Sequence, residues 1–265
     1  MIHVKVLFLF TYNTSLKNWS DTGYLTRELK FFEKIYNQYK VKFIFLTFGD
    51  TSDFDVDLDS RYIEVLPIYN YIDKKKNNIY NFLNLIFNVH KLIKKRNLEF
   101  NLIKTNQLYG SWIAMILKIL LKKPLIIRTG YDLFLFSIKD KKNFIKIFSY
   151  YVLTFLSLNI SNIYTVTSNS DFNFISKLYL FDKNKLKLRK NWVESYSKEV
   201  NFSDRLNNYS LLSVGRLESQ KDYEYLIRNF NDTGYQIDIV GSGSLENNLK
   251  ELSSPNINFI GNLSY

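Results

Sequence analysis

The sequence contains no cysteine, two histidines, three prolines and nine glycines. The lack of cysteine excludes disulfides, thiolate catalysis and cysteine-ligated zinc. His3 and His90 are isolated in the sequence and give no support to a histidine metal centre or a Ser–His–Asp triad. With so little glycine and proline, collagen-like and linker-rich classes are excluded as well. Residues 147–170 carry no charge, but Ser, Thr and Asn interrupt them. They predict a helix ending near Ile160 and then a buried strand, not a membrane span.

What the sequence does have is apolar bulk and positive charge. Hydrophobic residues make up 46% of the 265 positions, enough for a large core, and the net charge is +11. A basic protein tends to meet nucleic acid, an anionic membrane or a phosphorylated substrate, although an AT-rich genome also raises lysine content. No helix-turn-helix, zinc-finger, RRM or KH pattern accompanies the charge, so no nucleic-acid partner is expected.

Short apolar runs alternate with segments of helical periodicity along the chain. Leu25, Leu29, Phe32 and Ile35 form one helical stripe. Such alternation predicts an α/β fold with parallel sheets. The predicted strands are 4–10, 43–48, 62–68, 102–105, 125–128, 163–167 and 186–189, and after a polar stretch 209–214, 237–240 and 257–260.

The polar stretch divides the chain. Residues 1–194 predict a Rossmann-like domain, 195–208 a linker, and 209–265 the first part of a second Rossmann-like domain. Three strands and two helices would leave the second sheet with an unpaired apolar edge, so either the second domain is truncated or something else covers that edge. Of the two, we expect truncation.

One loop of the second domain contains candidate ligand-binding residues. Gly215, Arg216 and Lys221 lie where a strand ends and a helix begins, which is where open α/β sheets bind ligands. Gly215 permits a tight turn, while Arg216 and Lys221 can hold a diphosphate with help from the helix dipole. The alternative is an ordinary exposed loop with two unrelated cations.

The sequence around this loop resembles a known family. The segments LLSVGRLESQKDYEYLIRNF, IDIVGSGSLENNL and INFIGNLS are similar to the start of the donor domain of family 4 GT-B glycosyltransferases. The resemblance implies two Rossmann-like domains facing a cleft, with Arg216 and Lys221 on the phosphates of a sugar nucleotide. It also implies that Gly241 and Gly243 lie close to the nucleotide, whereas a plain strand-to-helix turn is the alternative.

The first domain resembles the family less sharply. In WSDTGYLTREL, Gly23 matches a glycine that lets backbone approach the substrate phosphate or acceptor, and Asp21 or Thr22 would cap the following helix. In IIRTGYDLF many relatives carry a histidine that this chain lacks, so Arg128 and Tyr131 are the candidates to line the cleft. A surface arginine and a packed tyrosine are the alternatives. Residues 191–194 are expected to be structural, and the family's pair of glutamates would lie beyond residue 265.

The resemblance to family 4 implies a retaining glycosyltransferase that moves a sugar from a nucleoside diphosphate sugar to a glycan acceptor. The family and the basic charge together favour a lipid-linked acceptor in surface polysaccharide synthesis. No cofactor or metal is expected, since Arg216 and Lys221 can neutralise the departing diphosphate. The alternative is a truncated, inactive nucleotide-binding remnant. The first strand leads into no G-x-G-x-x-G, so a dinucleotide oxidoreductase is not expected.

The location follows from the charge. We expect a cytoplasmic protein, peripheral at the inner face of the membrane, with solvated helix faces as the alternative. The basic segments that suggest membrane contact are 91–96, 122–123 and 139–146.

Overall fold

The computed structural model describes residues 4–193 and 210–263. The chain divides into two compact units, Met1–Val193 and Glu194–Tyr265. The predicted linker at 195–208 lies outside the described residues, as do His3 and Glu194.

The first unit is built on a seven-stranded parallel sheet with the order β3-β2-β1-β4-β5-β6-β7. Its strands are continuous apolar runs because helices or loops bury much of both faces. The predicted strands at 102–105 and 125–128 match the structure at both ends, and each of the others differs by one residue at one end or at both. The strands are β1 Lys5–Leu9, β2 Lys42–Thr47, β3 Ile63–Pro67, β4 Leu102–Thr105, β5 Leu125–Arg128, β6 Ile163–Val166 and β7 Leu186–Leu188.

Seven helices accompany these strands in the described part of the unit. In α2 the predicted stripe is buried at Leu25 and Phe32, and α6 ends at Ile160 as the sequence predicts. Among the described residues, no helix combines the length and the apolarity needed to cross a bilayer. The helices are α1 Leu16–Asp21, α2 Tyr24–Tyr39, α3 Asn78–Lys95, α4 Ser111–Leu121, α5 Leu133–Lys139, α6 Phe144–Ile160 and α7 Asn169–Leu178.

The prediction that Asp21 or Thr22 caps a helix start is wrong. Asp21 is the last residue of α1 and Thr22 is its C-cap. The N-cap is Ser15, whose hydroxyl accepts from the Asn18 amide at 3.0 Å while Asn18 Oδ1 accepts from the Ser15 amide at 3.2 Å. This reciprocal capping box starts a short helix inside a stretch that reads as polar loop.

The second unit contains a three-stranded parallel sheet in the order β10-β9-β8, made of β8 Ser210–Val214, β9 Gln236–Val240 and β10 Ile257–Gly261. Helices α8 Tyr223–Phe230 and α9 Glu246–Leu252 pack on it. Its core is a separate cluster built around Leu217, Ile227 and Ile239. On β8, Leu212 and Val214 are each 69% exposed, and no described strand pairs with its outer edge.

Candidate functional site

The loop after β8 holds two cations with no ion pair among the described residues. Arg216 and Lys221 are both exposed, and Lys221 ends a 3₁₀ turn at Ser219–Lys221, just before α8 begins at Tyr223. A Cβ placed on Gly215 would lie 3.9 Å from Lys221 Cε, so the lysine side chain reaches back to Gly215, beside Arg216 in the chain. The loop thus gathers both charges at the carboxyl end of a parallel strand.

Gly215 is constrained by space, not by a left-handed turn. A Cβ there would lie 2.9 Å from the hydroxyl oxygen of Tyr223, which is buried. The predicted reason for this glycine, a tight backbone turn, is therefore replaced by close packing against the first residue of α8.

Gly241 and Gly243 bring a second loop against the first. A Cβ on Gly241 would lie 1.9 Å from the Gly215 carbonyl oxygen, and one on Gly243 would lie 2.3 Å from the Leu217 carbonyl oxygen. Backbone hydrogen bonds join the loops, from Gly215 N to Val240 O at 2.9 Å and from Leu217 N to Ser242 O at 2.9 Å. The absence of side chains at the two glycines lets the loops approach this closely, and the backbone bonds hold the Arg216 loop in place. Contact of the two glycines with a nucleotide remains a prediction.

Glu218 is a member of this site that sequence reasoning missed. Its carboxylate accepts from the Ser244 amide at 3.1 Å and from the Ser244 hydroxyl at 2.8 Å. The bond from the Ser244 amide lowers the pKa of Glu218 most. The bond from the Ser244 hydroxyl and the nearby charge of Arg216 lower it further. The acidic residue next to the cations is thus directed to the second loop. The order of the sequence gives no signal for this, because the partner lies 26 residues away.

In the first unit, Gly23 is the N-cap of α2 and has a left-handed backbone (φ +73°), and nothing lies within 4 Å of a Cβ placed there. The position therefore faces open space, as a backbone that approaches a substrate requires. The left-handed backbone is a second reason for a glycine at this turn, because other residues rarely adopt that conformation.

Arg128 is not the surface arginine of the alternative interpretation. It is half-buried at the end of β5, where it donates to the Asn106 carbonyl at 3.1 Å and to Asn191 Oδ1 at 2.6 Å. Burial lowers the pKa of its guanidinium, and the charge of Glu28 on α2 opposes that effect. Trp192 packs on Phe31 at 6.0 Å. These contacts give Asn191 and Trp192 the structural role expected of them.

Tyr131 lies in the loop between β5 and α5. It is 47% exposed, and its ring meets Phe136 edge-on at 5.3 Å. It is therefore packed on one side and free on the other. Its contact with a sugar remains a prediction.

The fold can be compared with solved structures. An outer-core lipopolysaccharide galactosyltransferase, WaaB, matches with a TM-score of 0.61 at 15% identity, over 98% of this chain and 69% of that one. HepE from Anabaena, solved with UDP-glucose, gives 0.64 at 15%, over 99% and 70%. Sucrose-phosphate synthase from Thermosynechococcus elongatus gives 0.70 at 12%, over 99% and 71%.

The chain has the GT-B fold. The predicted α/β GT-B fold class is confirmed, and the truncation of the second domain stays a prediction. At identities this low the likeness shows the fold alone. No family model matches the sequence, and a search of curated proteins finds no relative.

Lys104 is a second residue that the sequence analysis missed. It lies on β4 of the GT-B sheet, half-buried, with its ammonium 4.9 Å from the centre of the Phe8 ring. Burial, followed by the charge of Arg128, lowers the pKa of Lys104 to about 8. The signal was a charged residue inside a strand predicted to be buried. Among the described residues, no group of three or more His, Asp or Glu side chains is placed to hold a metal.

Asp132 offers a test of the β5–α5 loop. It is fully buried and caps α5 by accepting from the Leu135 amide at 2.7 Å, while its Oδ2 has no partner in the described structure. Burial raises the pKa of its carboxyl, so the stability that this group contributes is lost as pH rises through the folded pKa. We therefore expect Asp132→Asn to gain stability relative to the natural chain as pH rises from about 4, the ordinary pKa of an aspartate, to about 7.

Urea unfolding at the two pH values would measure this gain. Asp182→Asn is the matched control, since Asp182 caps a short turn at the surface. Equal pH slopes for all three proteins would contradict a raised pKa at Asp132.

Proposed function

We propose that this chain is a retaining glycosyltransferase that uses a nucleoside diphosphate sugar as its donor. The observation that carries the proposal is the loop after β8, where Arg216 and Lys221 are exposed and have no ion pair among the described residues. Two cations at the end of a parallel strand suit a diphosphate, because guanidinium and ammonium groups bind phosphate oxygens strongly.

In the proposed reaction, the bond between the anomeric carbon and the diphosphate oxygen breaks. The acceptor hydroxyl forms its bond to that carbon on the same face, and its proton leaves with a phosphate oxygen of the departing diphosphate. Arg216 and Lys221 stabilise the negative charge that accumulates on that leaving group. Such electrostatic stabilisation is often the largest contribution to catalysis.

Two comparisons support a sugar-nucleotide donor. HepE, of the same fold, was solved with UDP-glucose, and WaaB is described as a galactosyltransferase. The resemblance of the Arg216 and Lys221 segment to family 4 supports the retaining outcome. For the acceptor we propose a lipid-linked glycan of a surface polysaccharide, and for the location the cytoplasmic face of the membrane. The net charge of +11 favours both.

Calorimetry of the full chain with UDP, GDP and ADP tests the donor site. We expect one of the three to bind, and the sugar released from the matching donor to keep its anomeric configuration by NMR. Binding without turnover would favour the nucleotide-binding remnant. A folded chain that binds none of the three contradicts the donor site.

A further inference from the structure

The first half of α3 presents large apolar side chains to solvent. Ile79 is 70% exposed, Leu83 42% and Phe87 60%, and these three lie four residues apart on one side of the helix. Tyr80 beside them is 68% exposed. A surface helix of a globular domain buries its apolar stripe, so this second stripe is a departure from the rule.

The start of α6 also presents large apolar side chains to solvent. Phe144 is 78% exposed, Ile145 80% and Phe148 55%, and the rings of Phe144 and Phe148 stack at 6.2 Å. Single exposed apolar residues are normal, but a group of three in five positions marks an interaction surface.

Aromatic contacts through the start of α4 link the two helices, whose exposed groups are together called the apolar surface. Phe82 of α3 meets Trp112 at 5.6 Å, Trp112 meets Tyr109 at 5.2 Å, and Tyr109 meets Tyr150 of α6 at 6.4 Å. Both helices lead into the amino ends of the strands that follow them, so their first turns lie toward the edge where strands end. Arg128 ends β5, Tyr131 follows it, and Gly23 precedes α2, which leads into β2, so these three residues lie toward that same edge.

Lysines surround this apolar surface. Lysines 74–76 precede α3, and Lys139, Lys141, Lys142 and Lys146 flank the start of α6; all seven are exposed. Two aspartates accompany them, Asp73 with Lys75 at 3.6 Å and Asp140 with Lys142 at 3.6 Å. Seven lysines against two aspartates leave a strong positive charge. The basic segment at 91–96 lies at the opposite end of α3, away from the exposed apolar groups.

We propose that this surface, formed by the first halves of α3 and α6 and the lysines around them, docks on an anionic lipid bilayer. The apolar side chains enter the boundary between head groups and acyl chains while the lysines contact lipid phosphates. The positive charge favours this occupant over a second copy of the chain, which would bring like charges together. The proposal rests on the proposed function only in that such a bilayer would present a lipid-linked acceptor to this edge.

Vesicle flotation of the full chain tests the docking surface. We expect the chain to float with phosphatidylcholine vesicles that contain phosphatidylglycerol, and far less with phosphatidylcholine alone. The combined Lys139→Gln, Lys141→Gln and Lys146→Gln variant should lower the partition coefficient by about a hundredfold. Lys91→Gln with Lys94→Gln and Lys95→Gln, a control of equal charge change, should leave it nearly unchanged.

A second pair of variants tests the apolar side chains of the docking surface. Phe144→Gln with Ile145→Gln should lower partitioning by about a hundredfold or more, whereas Ile119→Gln with Leu180→Gln, exposed elsewhere by 60% and 85%, should not. The proposal is overturned if the partition coefficient is the same with and without phosphatidylglycerol, or if it falls equally in variants and controls. So does a dimer that dissociates in the Phe144 variant while no variant changes flotation. Nucleotide binding, measured by calorimetry on the same samples, separates this result from failure of the proposed transferase.

Discussion

Replacing Arg216 and Lys221 together by alanine should weaken nucleoside diphosphate binding by about a hundredfold to ten-thousandfold. Each side chain is expected to make a charge-assisted hydrogen bond to phosphate, worth about 1.5 to 3 kcal/mol. Since about 1.4 kcal/mol corresponds to a tenfold change in affinity, two such bonds account for the range. Calorimetry with the nucleotide that the natural chain binds best measures the loss. The unfolding midpoint should stay unchanged, because neither side chain is buried.

The control for this pair removes the same charge from the same unit. Arg228 pairs with Glu224 at 2.5 Å and Lys250 with Glu246 at 2.6 Å, both on helix surfaces. Arg228→Ala with Lys250→Ala should reduce affinity less than about threefold, since surface pairs contribute little and distant charges are screened. If both double variants lose affinity equally, general charge holds the nucleotide and the loop after β8 is not the donor site.

Gly241→Ala should destabilise the second unit by about 3 kcal/mol or more. The backbone of Gly241 has φ +136°, a region that side chains rarely adopt, and a Cβ there would lie 1.9 Å from the Gly215 carbonyl oxygen. The backbone cannot yield as the end of a flexible side chain can, so the two loops must separate. Because the Arg216 loop would move with them, nucleotide affinity should fall as well.

Hydrogen exchange of the β8 and β9 amides reports on the second unit by itself, and calorimetry reports on binding. Gly234→Ala is the matched control, since nothing lies within 4 Å of a Cβ at Gly234. It should change stability by less than about 1 kcal/mol. If the amides of Gly241→Ala exchange at the same rates as those of the natural chain, the close approach of the two loops is contradicted.

Much of the fold could be predicted from local patterns. Apolar runs of four to seven residues mark the buried parallel strands, because a strand covered on both faces leaves few polar positions. The end of α6 at Ile160 was likewise encoded nearby, in the change from helical spacing to a turn. Helix α1 could not be predicted in this way, because its capping box depends on Ser15 and Asn18 in a stretch without apolar periodicity.

For the candidate site, the sequence by itself determined the residue types and their place at a strand end. Gly215, Arg216 and Lys221 lie within seven positions, so the path of one loop brings them together. Only the tertiary structure decided that Gly241 and Gly243 pack on that loop, that Ser244 binds Glu218, and that Asn191 binds Arg128. It also linked α3 and α6 through aromatic contacts at the start of α4. These contacts link residues roughly 25 to 70 positions apart, and the periodicity of a sequence carries no record of which distant segments meet.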